Sequence, residues 1–133
     1  MKPITGAVLH SATGLSLMPL SGYKTAGLTI TNTVAIPASC CPVSKNPCAG
    51  SEIAFCYQPD KWVVEVYSLR ELARRFVGGL EATEHYPTER NMEGLCELMA
   101  QMVADAVGAG VSFTASIVLD CGKMGVSGEV SPQ

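Results

Sequence analysis

Residues 39–53, with the sequence SCCPVSKNPCAGSEI, have the types and spacing that best suit chemistry. Within this stretch Cys41 directly precedes Pro42, and Cys48 directly follows Pro47. A residue before proline is restricted to extended backbone, and proline donates no backbone N–H of its own. Cys41 is thus fixed in the way that a reactive thiol requires, and we predict that it is a nucleophile.

The alternative interpretation of Cys40 and Cys41 is structural, as small apolar residues that alternate at the end of a strand. We expect that role for Cys40 and for the cysteines outside the loop, which are Cys56, Cys96 and Cys121. A disulfide framework is disfavoured, because such frameworks are typical of shorter secreted chains. A structural zinc site needs two close pairs of ligands, and the sequence has no second such pair.

Glu89 is the carboxylate that stands out. It lies in the segment PTERN at the start of the second predicted helix, where its side chain can meet a ligand with hydrogen-bond donors, such as the edge of a guanine-like ring. The alternative is that an acid in a first helical turn complements the helix dipole. A catalytic metal site formed by Cys41, Cys48 and Glu89, with zinc or iron, is the alternative to the nucleophile.

The composition indicates a single domain that associates with copies of itself. The 133 residues are 47% hydrophobic and only 16% charged, which suggests that surface is buried against other subunits. The net charge of −3 and the lack of a basic stretch argue against a nucleic-acid partner. The first twenty residues form neither a secretory signal nor a membrane-spanning run, so we expect a cytoplasmic protein with no membrane partner.

Alternating apolar residues predict the strands that must position these side chains. The predicted strands are residues 22–37, 51–57, 61–67, 111–119 and 126–130. The second and third flank a turn at residues 58–60 and are predicted to form a hairpin or one long bent strand. Residues 120–125 are predicted to form the turn between the last two strands.

Two helices are predicted between these strands. The sequence SLRE at residues 68–71 has the arrangement of a capping box, which predicts that the first helix starts at Ser68 and ends at residues 78–79, a pair of glycines. The second helix is predicted to have Thr88 as its N-cap and to end at Gly108. Its apolar stripe consists of Met92, Leu95, Cys96, Met99, Met102, Val103 and Ala106.

The predicted order of elements is β-β-α-α-β-β, an α+β fold in which both helices cover one face of a four-stranded antiparallel sheet. With the cysteine loop and the PTERN segment, this order resembles the tunnelling-fold superfamily, whose members form ring oligomers with purine or pterin sites between subunits. The resemblance implies a single domain of that fold over residues 1–133, with residues 1–25 as an extension and 26–130 as the core. It also implies a homo-oligomer with its sites at subunit interfaces.

Within that superfamily, the loop is similar to that of the 7-cyano-7-deazaguanine reductases, the nitrile reductases of queuosine biosynthesis. Their loop runs Cys-Pro-x-Thr-Gly-Gln-Pro-Asp, often followed by Gly-Ser, and residues 41–51 keep the cysteine, both prolines and the Gly-Ser pair. The resemblance implies that Cys41 adds to a nitrile and gives a thioimide. Cys48 stands at the position of the family's aspartate, the general acid. Glu89 matches the glutamate that holds the base, and Thr88 stands where the family has histidine.

Residues 64–70, VEVYSLR, are similar to the family's cofactor signature Glu-Ser-Lys-Ser-x-Lys. Glu65, Ser68 and Arg70 keep the glutamate, the second serine and a basic residue, while Val-Tyr replaces the Ser-Lys between them. The resemblance implies NADPH as the cofactor and a deazapurine, purine or pterin as the small-molecule substrate.

The IB-type GTP cyclohydrolases provide a second resemblance. Their Cys-Pro-Cys-Ser-Lys loop is similar to residues 41–45, and their Thr-Glu-Arg turn matches residues 88–90. It implies a metal held by Cys41 and Glu89, with Cys48 in place of the histidines that this sequence lacks. Two further alternatives are a thioimide amidinotransferase, which uses the cysteine without reduction, and a non-catalytic ring protein that binds a purine or pterin.

Overall fold

The computed structural model describes residues 9–10, 15–20, 27–38, 46–75 and 92–133. In these ranges the strands are β1 (Leu9–His10), β2 (Ser16–Pro19), β3 (Ile30–Ala35), β4 (Glu52–Tyr57), β5 (Trp62–Val64), β6 (Val111–Leu119) and β7 (Gly122–Val130), and the helices are α1 (Val66–Arg74) and α2 (Met92–Val107). The chain is thus a mixed α+β protein, as predicted. Neither of these two helices is long and apolar enough to cross a membrane.

Four strands form one antiparallel sheet in the order β3-β4-β6-β7. Among the described elements, β3 and β4 precede α1 and α2 in the chain and β6 and β7 follow them, which agrees with the predicted order β-β-α-α-β-β. In its centre Phe55 of β4 lies opposite Phe113 of β6. Because side chains alternate between the faces of a strand, this register places the apolar positions of neighbouring strands on one face.

Both helices cover that apolar face. The buried positions of β4 and β6 are Ile53, Phe55, Tyr57, Val111, Phe113, Ala115 and Ile117. The helices contribute Leu69, Leu72 and Ala73 from α1 and Leu95, Cys96, Met99 and Val103 from α2 to the same core. Thr114 and Ser116, which alternate with the buried positions of β6, are exposed. The predicted placement of both helices on one face is therefore confirmed.

A second antiparallel sheet, in the order β1-β2-β5, corrects the prediction of a hairpin or bent strand at residues 51–57 and 61–67. β4 pairs with β3 and β6, whereas β5 pairs with β2 and has Val64 opposite Leu17. Apolar alternation predicts that both segments are strands, but it does not identify the partner of each. Leu15 and Leu17 are buried, so β2 and the residue before it belong to the core.

α1 begins earlier than predicted. Its N-cap is Glu65 and its first residue is Val66, so the predicted capping box at Ser68 is wrong. The Glu65 carboxylate accepts the first free backbone N–H groups, which lets the helix start one turn sooner. α2 ends at Val107 as predicted, because Gly108 takes a φ of +71° that glycine adopts without strain. α1 also ends earlier than predicted, at Arg74 with Arg75 as its C-cap, instead of at residues 78–79. The predicted N-cap Thr88 lies outside the described residues.

The turn between β6 and β7 is shorter than predicted. Only Asp120 and Cys121 separate the two strands, since pairing starts at Leu119 and Gly122. β7 is accordingly nine residues long instead of five. Residues 122–125 contain two glycines and a lysine, which have low strand propensity, and the pairing with β6 overrides that preference.

Candidate functional site

The cysteine loop, defined as residues 37–50, leaves the sheet after β3 and returns before β4. At its base the Ile36 backbone N–H donates to the Ser51 carbonyl oxygen at 2.9 Å. Cys41 lies outside the described residues, and the described return of the loop starts at Asn46. The hydrogen bonds of this described part attach the loop to the rest of the protein.

The returning arm is bonded to the end of β6. The Cys48 backbone N–H donates to the Val118 carbonyl at 2.7 Å. The Ser51 hydroxyl donates to the Cys48 carbonyl at 3.0 Å and accepts the Val118 N–H at 2.8 Å. Ser51 is only 2% exposed and Pro47 is also buried, so this arm belongs to the packed part of the protein.

Side-chain hydrogen bonds also connect the returning arm to the β6–β7 turn. Asn46 Oδ1 accepts the Asp120 backbone N–H at 3.1 Å, and Asn46 Nδ2 donates to Asp120 Oδ1 at 3.4 Å. The Cys48 thiol donates to the same Asn46 Oδ1 over 3.9 Å. Cys48 is half-buried and Asp120 is exposed. A thiol, a carboxamide and a carboxylate thus form one connected group at the foot of the loop.

A groove of about 400 Å³ lies beside the loop. It is lined by residues 35–38 and 49–52, which contain both ends of the loop, and by Arg70 and Arg74 of α1. Glu71 Oε1 lies 3.1 Å from Arg74 Nη1 and 3.8 Å from Arg70 Nη2. These three side chains are exposed, and such ion pairs contribute little to stability, so the arginines can turn to an anionic ligand at small cost.

Glu65 and Ser68 form the start of α1. The two carboxylate oxygens of Glu65 accept the N–H groups of Tyr67 at 2.9 Å and Ser68 at 2.8 Å. The Ser68 hydroxyl donates to the Glu65 carbonyl at 2.7 Å and accepts the Ser16 N–H at 3.0 Å. These side chains therefore cap the helix and join it to β2. Arg70 is free of that role, and its guanidinium lies 5.4 Å from the centre of the Tyr67 ring.

The structure describes four of the seven predicted site residues. Cys48, Glu65, Ser68 and Arg70 are described, whereas Cys41, Thr88 and Glu89 lie outside the described residues. Arg70 shares a groove with the ends of the cysteine loop. The three remaining described residues make the contacts given above with backbone or with Asn46.

Sequence reasoning missed Asn46, Ser51 and Asp120. Asn46 and Asp120 are 74 positions apart, so no local pattern connects them before the fold is known. Arg74 could have been found, because it follows Arg70 by four residues and therefore lies on the same side of a helix.

The remaining cysteines show different environments. Cys96 is buried in the core face of α2, which confirms its predicted structural role. Cys56 is half-buried in β4. Cys121 is exposed in the β6–β7 turn, so the prediction that it is a small packed residue is wrong.

In the ranges that the structure describes, no group of three or more histidine, cysteine, aspartate and glutamate side chains is placed to hold a metal ion. Of the alternative metal ligands, Cys48 is described and Cys41 and Glu89 are not. The comparisons with known proteins gave no relative: no family model, no curated protein and no solved structure matches the chain.

Proposed function

We propose that the protein is a nitrile reductase-like enzyme that acts on 7-cyano-7-deazaguanine, with Cys41 as its nucleophile. One observation carries the proposal. Residues at both ends of the cysteine loop and the arginines of α1 line a single groove, which supports a site shared by that loop and the segment that resembles a cofactor signature.

Cys41 acts in the first step of the proposed reaction. The Cys41 sulfur forms a bond to the nitrile carbon, one bond of the C≡N triple bond breaks, and the nitrogen takes a proton to give a thioimide. Conversion of that group to a primary amine consumes two hydrides and two further protons, and the thiol is released. In this scheme Cys48 donates a proton, and Glu89 accepts N–H groups from the edge of the heterocycle beside Thr88.

The described residues fit a phosphate-bearing cofactor. Guanidinium groups bind phosphate through paired N–H donors, so Arg70 and Arg74 would hold the phosphates of NADPH in the groove. NADPH supplies hydride when it is bound. Glu65 and Ser68 support binding indirectly, because their hydrogen bonds fix the start of α1 and therefore the position of Arg70.

We propose further that the chain has the tunnelling fold and assembles into a ring. Within the described residues, β3 and β7 are the outer strands of the four-stranded sheet. β7 is nine residues long and has no proline, so its outer edge offers unpaired backbone groups to a strand of a second copy. A ring would bring residues of neighbouring subunits together at each site.

To test the proposal, the metal content of the purified protein is measured and the protein is incubated with 7-cyano-7-deazaguanine. Its intact mass and the absorbance of a thioimide are then recorded. We expect a covalent adduct in the wild type, none in Cys41→Ala, and an undiminished adduct in the control Cys121→Ala, which removes an exposed thiol of the β6–β7 turn. Oxidation of NADPH in the presence of the adduct identifies a reductase.

Other outcomes would assign the alternatives. An adduct without NADPH oxidation would indicate an amidinotransferase. No adduct, with about one zinc or iron per chain, would overturn the proposal in favour of a GTP cyclohydrolase. Binding of the heterocycle with neither adduct nor metal would indicate a non-catalytic ring protein.

A further inference from the structure

We propose that Asp120, in the β6–β7 turn, is a positioning residue that acts on Cys48 through Asn46. Asp120 makes both of its contacts with the same side chain: its backbone N–H donates to Asn46 Oδ1, and its carboxylate accepts from Asn46 Nδ2. The Cys48 thiol donates to that same Asn46 oxygen. These three residues are named the Asp120 clasp.

The chemistry of the two side chains fixes the orientation of the amide. An ionised carboxylate only accepts hydrogen bonds, whereas a carboxamide has a donor end and an acceptor end. The donor end of Asn46 therefore faces Asp120 Oδ1, and its acceptor end faces the Asp120 N–H and the Cys48 thiol. With the amide in this orientation, the single S–H of Cys48 is directed to Asn46 Oδ1, which holds the sulfur in one place.

Backbone hydrogen bonds hold Cys48 of the Asp120 clasp against the end of β6. The Cys48 N–H is bonded to the Val118 carbonyl, two residues before Asp120. The Ser51 hydroxyl bonds the Cys48 carbonyl and the Val118 N–H. Within the described residues, Asn46 accepts from the Cys48 thiol, and Asp120 contacts Asn46 at both ends of its amide. The carboxylate of a distant strand turn is thus connected to Cys48 through Asn46.

This inference rests on the proposed function for its role in catalysis. In thioimide formation, the Cys41 thiolate bonds to the nitrile carbon, while the Cys48 thiol leaves its hydrogen bond to Asn46 and gives its proton to the nitrile nitrogen. The products are the thioimide and a Cys48 thiolate, which recovers its proton from water. Asp120 touches neither the nitrile nor the cysteine sulfur, so it changes the rate of this step through the orientation of Asn46.

The first test needs no substrate. The rate of alkylation of Cys48 by iodoacetamide is measured by peptide mass in the wild type and in variants. Asp120→Ala and Asn46→Ala are expected to raise that rate about fivefold, the equivalent of one hydrogen bond lost. Asp120→Asn keeps an acceptor oxygen and is expected to stay close to the wild type. Asp60→Ala, which removes an exposed aspartate of another loop, serves as the control.

The second test measures the rate of adduct formation with 7-cyano-7-deazaguanine in a single turnover, separately from its Kd. Asp120→Ala is expected to slow the adduct step about fivefold at unchanged Kd, with rescue in Asp120→Asn. Unchanged alkylation in both Asp120→Ala and Asn46→Ala would overturn the clasp. Faster alkylation with an unchanged adduct rate would overturn its catalytic role. A wild type without any adduct would overturn the proposed function, and the alkylation rates would still decide the clasp.

Discussion

At the scale of single residues, one buried hydroxyl determines how the cysteine loop closes. Ser51 joins the Cys48 carbonyl to the Val118 N–H. We expect Ser51→Ala to lower the free energy of unfolding by about 1–3 kcal/mol, because it leaves a part-buried backbone donor and acceptor without this partner. Urea denaturation at neutral pH measures the change. The groove beside the loop should widen in the same variant, since its wall includes Ser51.

The control for this prediction is Ser127→Ala, a change of the same two residue types at an exposed position of β7. Substitutions of this kind away from special contacts alter stability by about 0.5 kcal/mol or less. Equal losses in the two variants would show that the Ser51 hydroxyl has no special part in closing the loop.

At the scale of elements, the sequence was informative where a periodic pattern is long. The sixteen residues of α2 and the nine of β6 present an unbroken apolar period, so both were predicted close to their observed bounds. β5 has three residues, too few to identify a partner strand. The start of α1 was missed because a glutamate, which is an uncommon N-cap, takes the place that the sequence pattern assigned to Ser68.

The N-cap role of Glu65 gives the prediction at this scale. Glu65→Ala is expected to lower the free energy of unfolding by about 1 kcal/mol, since the N–H groups of Tyr67 and Ser68 lose their acceptor. Thermal unfolding followed by circular dichroism measures it. Glu97→Ala, at an exposed position of α2, is the matched control and should stay within about 0.5 kcal/mol of the wild type.

Glu65→Ala and Arg70→Ala together distinguish a helix-capping role of Glu65 from a direct contact between Glu65 and the cofactor. Under the proposed function, Arg70→Ala should raise the KM for NADPH without a loss of stability, because its side chain is exposed and lines the groove. A Glu65→Ala protein of unchanged stability but strongly raised KM would contradict the cap and favour direct binding by the carboxylate.

At the scale of the whole molecule, the contacts that define the candidate site join distant parts of the chain. The groove combines residues 35–38 and 49–52 with α1, and the clasp joins Asn46 to Asp120. The sequence could indicate which residue types carry chemistry, and it placed Arg70 and the cysteine loop at one site through a family resemblance. The sequence could not predict the Asp120 clasp. Asn46 and Asp120 meet because the cysteine loop is hydrogen-bonded to the end of β6, and no local sequence pattern indicates that contact.

A hydrogen bond with a pH dependence of its own connects the two sheets in the interior. The Val64 N–H of β5 donates to the Tyr57 hydroxyl of β4 at 2.9 Å. Burial raises the pKa of Tyr57 above its ordinary value of 10.0, and the bond from Val64 opposes that shift more weakly. The folded protein thus holds the phenol proton more tightly than the unfolded chain does. Stability from this group is complete below pH 10 and is lost as the pH rises above it.

Tyr57→Phe tests this connection. At neutral pH the variant should lose about 1–3 kcal/mol in free energy of unfolding, because the buried Val64 N–H is left without its acceptor. As the pH rises above 10, the wild type should lose stability more steeply than the variant, which has no phenol to ionise. The control is Tyr67→Phe, a residue that is 66% exposed, which should keep the neutral-pH stability of the wild type. Parallel curves for the wild type and Tyr57→Phe would mean that the unfolded chain binds the phenol proton as tightly as the folded one, so that the link between the sheets would be independent of pH.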